Sequence, residues 1–225
     1  MRILFVSQYY FPDQAAGGPV VKIGAITERM IARGHDVTVI TAESGSRLHK
    51  QAQDDKGASV DYSDGTKVFR LATWLKYRAT SINPAIWSIA KSEVPRADVI
   101  HLFGYYDFLG PVVGHLAQSR GIPFVMEPMG MYVPILRSYT KKRLYHWMLG
   151  RRLVNAAARI VATSSLEKIE LIGSGIRKDK VFERRNGVDL AEFSTMPKRG
   201  YLRSRLGLSD AEQIVLYLGR VTPKK

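Results

Sequence analysis

The sequence predicts a doubly wound α/β fold, a Rossmann-like and mostly parallel sheet with helices on both faces. Three observations predict it. The chain opens on a short, continuous apolar run, Arg2–Ser7, of the kind buried in parallel sheets. Helical spacing and then a second, β-branched run follow it, the pattern of a right-handed β-α-β crossover. The same alternation then recurs as far as Arg184.

Taken in order, Arg2–Ser7 reads as the first strand, and Gln8 to Gly18 as a loop with Pro12 and Asp13 as turn formers. Pro19 suits a first helical turn. Val20, Val21, Ile23, Ile26, Thr27, Met30 and Ile31 recur at helical spacing until Gly34 stops the helix. Asp36–Thr41 is the second strand, and the polar stretch Glu43–Asp64 reads as a loop. Lys67–Leu71 is a strand, Pro84–Ser92 a helix, Asp98–Phe103 a strand, and Phe108–Arg120 a helix ended by Gly121. Pro123–Glu127 is a strand, Thr140–Ala157 a basic helix and Arg159–Thr163 a strand. Ser165–Ile172 is a helix with a Ser/Thr cap and acidic residues near its positive end, and Lys180–Arg184 a short strand. Pro197–Asp210 reads as a linker with a short helix, and Gln213–Leu218 as one more buried strand. The expected division is therefore a domain over 1–197, and over 198–225 a linker with the first strand of a second domain.

Composition narrows the function. With 225 residues and 45% hydrophobic content, the chain can bury a core without disulfides or metal. The absence of cysteine excludes a disulfide scaffold, thiolate zinc sites, iron–sulfur clusters and a cysteine nucleophile. The histidines show no metal spacing, so no metal site and no cofactor is expected. No apolar run reaches the roughly 18–20 residues of a membrane span, and the N-terminal run is too short for a signal peptide. The formal charge of +14 points to an anionic partner. From Glu127 to Glu167 no acidic residue intervenes, while Lys141, Lys142, Arg143, Arg151 and Arg152 alternate with Leu144, Tyr145, Trp147, Met148 and Leu149. Such a helix either lies on an anionic membrane surface or is a solvated face packed on the sheet. No nucleic-acid-binding module accompanies the basic residues.

Ligands of doubly wound folds bind at the carboxyl ends of the strands. There Gly17-Gly18 precedes a helix, where backbone amides attract phosphate, although a glycine pair also serves turn geometry. Neither G-x-G-x-x-G nor G-x-x-x-x-G-K-[ST] is present, which disfavours nicotinamide and P-loop chemistry. His101 can orient a substrate hydroxyl or be a structural histidine. Glu127 can accept hydrogen bonds from a sugar, take a proton, or fix a loop. Asn186-Gly187 is a turn former. Arg220 with Lys225 can clamp a diphosphate or form a basic tail.

In sequence, Gly17-Gly18, Arg33-Gly34-His35-Asp36-Val37, Asp98-Val99-Ile100-His101 and Gly121-Ile122-Pro123 precede Ala162-Thr163-Ser164-Ser165 with Glu167. Asn186-Gly187-Val188-Asp189 with Phe193 and Gly219-Arg220-Val221-Thr222-Pro223-Lys224-Lys225 follow. This series resembles the family 4 retaining glycosyltransferases of the GT-B fold. Glu127-Pro128-Met129-Gly130-Met131 with Lys141-Lys142-Arg143-Leu144-Tyr145 resembles the Pro-x-Gly-Met subgroup, so Met129 stands where the family often has histidine.

The resemblance implies an acceptor-binding N-terminal domain, and a C-terminal domain for the nucleotide-sugar donor that this chain only begins. It implies donor-phosphate contacts for Gly17, Gly18, Arg220 and Lys225. Acceptor contacts are expected of His101, Glu127, Met129, Gly130 and Asn186. The expected reaction moves a sugar from a nucleotide-sugar to a glycan or lipid-linked acceptor. The chain alone is expected to be inactive, with no catalytic residue assigned. The expected location is cytoplasmic, peripheral on the inner face of the cell membrane. The other reading is a non-catalytic module that holds an acceptor or an anionic membrane.

Overall fold

The computed structural model describes residues 1–12, 17–43, 57–63, 65–77, 80–133, 139–188, 190–209 and 211–219. The chain divides into two compact units, Met1–Asn186 and Gly187–Lys225, a boundary ahead of the expected 197/198.

The first unit is the doubly wound α/β fold. Its strands are β1 (Arg2–Ser7), β2 (Asp36–Ala42), β3 (Ala58–Ser63), β4 (Thr66–Leu71), β5 (Leu75–Tyr77), β6 (Thr80–Ile82), β7 (Val99–Phe103), β8 (Phe124–Glu127), β9 (Arg159–Ala162) and β10 (Val181–Glu183). Its helices are α1 (Gly18–Ala32), α2 (Ile86–Glu93), α3 (Leu109–Ser119), α4 (Tyr139–Tyr145), α5 (Arg151–Ala156) and α6 (Ser165–Gly173). Eight strands form one sheet in the order β10-β9-β8-β7-β1-β2-β4-β3, parallel except for β3. The order reverses at β1, where β2 leaves to one side and β7 to the other.

Alternating side chains separate two cores. Ile3, Phe5, Val37, Val39, Val68 and Phe103 pack against Ile23 of α1. Leu4, Val6, Ile100, Leu102, Phe124 and Met126 pack with residues of α2, α3, α5 and α6 on the other face. Gly24 lets the Phe11 ring lie on α1, since a methyl there would sit 2.0 Å from Phe11 Cε2. Gly114 likewise admits Leu153 between α3 and α5.

The structure departs from the sequence reading in four places. Ala58–Ser63, within the expected loop, is an antiparallel edge strand on β4. Past the buried Ala58, exposed Val60 and Tyr62 alternate with partly covered Ser59, Asp61 and Ser63, as suits an edge strand. The β5–β6 hairpin was not expected, because three-residue strands carry no period. The basic helix is interrupted by a π-turn, His146–Gly150, between α4 and α5. Finally, residues 213–218 form no strand, and Val215 and Leu218 are more than nine-tenths exposed. A strand needs a neighbouring ladder for its backbone groups, and this segment pairs with none among the described residues. The described residues of the second unit include a 3-10 turn, Leu190–Phe193, and a short α-helix, α7 (Tyr201–Arg205). Among the described residues no helix is long and apolar enough to cross a membrane.

Candidate functional site at the carboxyl edge

Register brings Ser7 of β1, Phe103 of β7 and Glu127 of β8 into one row at the carboxyl edge of the sheet. Glu127 ends its strand and is fully buried. Its Oε1 pairs with Lys22 Nζ from α1. Its Oε2 accepts from Arg184 Nη2, just past β10, at 2.5 Å. Burial works to raise the Glu127 carboxyl, but His101, Lys22 and Arg184 together hold it at about 2. Glu127 is thus a permanent anion, poorly suited to take a proton near neutral pH.

His101 lies on the α1 face of β7. Its ring stacks on Phe103 at 3.9 Å and meets Phe5 edge-on. Nε2 is buried and faces Glu127 Oε2 at 3.2 Å, a polar contact off the ideal hydrogen-bond line. Burial pushes the imidazole pKa down, against the pull of the carboxylate. The histidine is therefore neutral near pH 7. The site holds two cations, Lys22 and Arg184, against one carboxylate, a net positive balance.

Gly17 caps α1 with φ 74°, a left-handed conformation that favours glycine. A methyl on Gly18 would meet none of the described residues within 4 Å, so they leave the space beside this helix N-terminus open. Met129 and Gly130 both have positive φ, 55° and 73°. Gly130 N–H donates to Glu167 Oε1 at 2.6 Å. Glu167 also accepts from Thr163 N and Oγ1, while its own N–H donates to Ser164 Oγ. A capping carboxylate of α6 thereby holds the turn after β8, and Met129 packs against the α1-side core. Asn186 is exposed at the end of the first unit. Arg220 and Lys225 lie outside the described residues. Lys141, Arg143, Arg151 and Arg152 are exposed and Lys142 is half-buried.

Sequence reasoning did not single out Lys22 or Arg184. Each is one of many basic residues, and its partner Glu127 is 105 or 57 positions away. The available signal for Lys22 was a charged side chain close behind the glycine pair.

Residues 17–187 match the Glycosyl transferase 4-like domain. The chain belongs to that family. Among curated relatives of this family member, the D-inositol 3-phosphate glycosyltransferase of Thermomonospora curvata is 30% identical over 249 positions, covering 100% of this chain and 56% of the relative. The enzyme of the same name from Kineococcus radiotolerans is 26% identical, covering 93% and 49%. The chain therefore spans about half the length of these relatives. Among solved structures, Anabaena HepE in complex with UDP and glucose superposes with a TM-score of 0.60 at 18% identity, covering 92% of this chain and 50% of HepE. The catalytic domain of starch synthase IV from Arabidopsis thaliana, bound to ADP and acarbose, gives 0.56 at 12% identity, covering 94% and 60%. At such identities the likeness concerns the fold, which is the Rossmann-like half of GT-B glycosyltransferases.

Proposed function

We propose that this chain is the acceptor-binding half of a retaining glycosyltransferase of the Pro-x-Gly-Met subgroup. It would move a sugar from a nucleotide-sugar to a glycan or lipid-linked acceptor. The observation that carries the reading is the Glu127 clamp: a buried carboxylate fixes Lys22 and Arg184 beside the open N-terminus of α1. Fixed cations and helix amides stabilise the charge that builds on a departing nucleoside diphosphate. Glu127 contributes by positioning these cations. His101 Nε2 is buried against Glu127, so His101 supports the acceptor side from beneath, and the Met129-Gly130 turn and Asn186 border the acceptor. Arg220 and Lys225 serve the donor phosphates. With these cations in place the transfer needs no metal ion.

The donor nucleotide pocket belongs to a second domain, which 213–219 begins. Support comes from the half-length coverage of the relatives and from the exposed apolar run Ile214–Leu218. The test is titration of the 225-residue chain with nucleoside diphosphates, together with assay of sugar transfer. Weak nucleotide binding and no transfer are expected. Tight binding or measurable transfer by this chain alone contradicts the division of labour.

A membrane contact on the cytoplasmic face of the cell membrane is favoured by a separate observation. Leu144, Trp147, Met148 and Leu149 are exposed beside Lys141, Arg143, Arg151 and Arg152. A groove of about 760 Å³ lined by Trp87, Phe108, Met148, Leu149 and Leu153 adjoins them. Sedimentation with anionic and with neutral vesicles checks this. Binding confined to anionic vesicles is expected, and equal behaviour with both counts against it.

A further inference from the structure

The π-turn between α4 and α5 changes which side chains share a stripe. Arg151 N–H donates to the His146 carbonyl, five residues back. In an α-helix these positions would point about 140° apart, at 100° per residue. A π-turn brings them close to register, and such turns recur at functional sites. Asn155, four residues on from Arg151, continues the stripe.

These three residues line a groove of about 370 Å³ with Tyr132, Trp147 and Ser174. The polarity of His146 follows from its inner contact. Tyr105 Oη is 2.6 Å from His146 Nδ1, and Tyr105 is fully buried. Gly150 makes room for that hydroxyl, since a methyl there would lie 2.1 Å from it. If Nδ1 carried the proton, the buried Tyr105 hydroxyl hydrogen would be left without an acceptor, a costly arrangement inside a core. Tyr105 therefore donates, Nδ1 accepts, and the imidazole proton sits on Nε2. Burial and the nearby Arg151 both keep this ring neutral.

The groove thus presents an Nε2–H, the Arg151 guanidinium and the Asn155 amide. Among the described residues no Asp or Glu lines it. The Arg151 guanidinium has no hydrogen-bond or ion-pair partner among the described residues, and the side chain is exposed. The acceptors the groove offers are neutral ones, the Asn155 amide and the Tyr132 and Ser174 hydroxyls, and none is a carboxylate to compete with an anion. A cation backed by neutral donors fits a phosphate. We propose that His146, Arg151 and Asn155 form a binding site for a phosphate group, distinct from the Glu127 clamp. The phosphate is either the headgroup of an anionic lipid or a soluble phosphate ester. The lipid source rests on the membrane reading above, whereas the phosphate site itself does not.

The experiment uses the whole 225-residue chain and its Arg151→Gln, Arg151→Lys and Lys141→Gln variants. Both positions are exposed, so folding is checked by circular dichroism. Inorganic phosphate is titrated by calorimetry, and vesicles of phosphatidylglycerol in phosphatidylcholine are sedimented. Saturable phosphate binding is expected, weakened about tenfold by Arg151→Gln, less by Arg151→Lys and not by Lys141→Gln. A vesicle affinity that falls more in Arg151→Gln than in Lys141→Gln identifies the lipid headgroup. Equal loss in vesicles, with phosphate binding still singling out Arg151, identifies a soluble ester and retires the lipid source. Absence of saturable phosphate binding, or equal weakening by Arg151→Gln and Lys141→Gln, overturns the site.

Discussion

Removing the Glu127 carboxylate strands two cations beside a buried wall, and breaking a buried ion pair from one side typically costs about 3–5 kcal/mol. Glu127→Gln is expected to lower the melting temperature at pH 7. The carboxyl is held at about 2 in the folded chain, against about 4.3 unfolded. Its contribution is therefore complete above the unfolded value and is lost as pH falls toward 2. Acid unfolding of Glu127→Gln should lack that component, and a variant that tracks the wild type from pH 5 to pH 2 contradicts the clamp. Asp107 carries the opposite sign. Burial raises its carboxyl to about 6, although Gly110 N–H donates to Oδ1 at 2.6 Å. Its ionisation costs stability as pH rises from about 4 to about 6. Asp107→Asn keeps an acceptor for Gly110, so thermal melts at pH 7 should show a higher midpoint than wild type. The sequence made Glu127 and His101 visible, because both lie in strands whose carboxyl ends are predictable. It hid Lys22 and Arg184, whose importance arises only when β1, β8 and β10 assemble.

Among the elements, the long parallel strands were legible because buried runs of Val, Ile, Leu and Phe have few other fates. Elements set by tertiary contact were not. The β5–β6 hairpin is anchored from below: Asn83 Nδ2 donates to Leu71 and Ala72 carbonyls, and Gln8 Nε2 donates to Ser81 Oγ. No local period announces such anchors. The π-turn is similar, since Tyr105 and Gly150 that accommodate it are far apart in sequence. Gly150→Ala forces a methyl into the Tyr105 hydroxyl, and overpacking of this kind costs about 1–3 kcal/mol. Chemical denaturation should show that loss, and an unchanged midpoint would mean that α5 shifts freely away from Tyr105. For the expected strand at 213–218, apolar composition was read correctly and partnership was not. Hydrogen exchange should be rapid at Ile214–Leu218 and slow at Ile3–Val6. Comparable protection of the two segments contradicts the exposed description.

Across the whole molecule, the fold and its family were readable from ordered motifs spread along the chain, and the match over residues 17–187 agrees. For the proposed chemistry the sequence offered only a location, the carboxyl edge. The structure adds how that edge is charged, through Lys22 and Arg184 fixed on Glu127. The most direct test of this account is sugar transfer from nucleotide-sugars by the protein purified from its own source, compared with its Lys22→Met and Arg184→Met variants. If these cations stabilise the departing diphosphate, each variant should lose about 100-fold or more in kcat, the scale set by removing one preorganised donor, with a smaller change in KM. Transfer at wild-type rates by folded Lys22→Met and Arg184→Met proteins would contradict the claim that this edge carries the reaction.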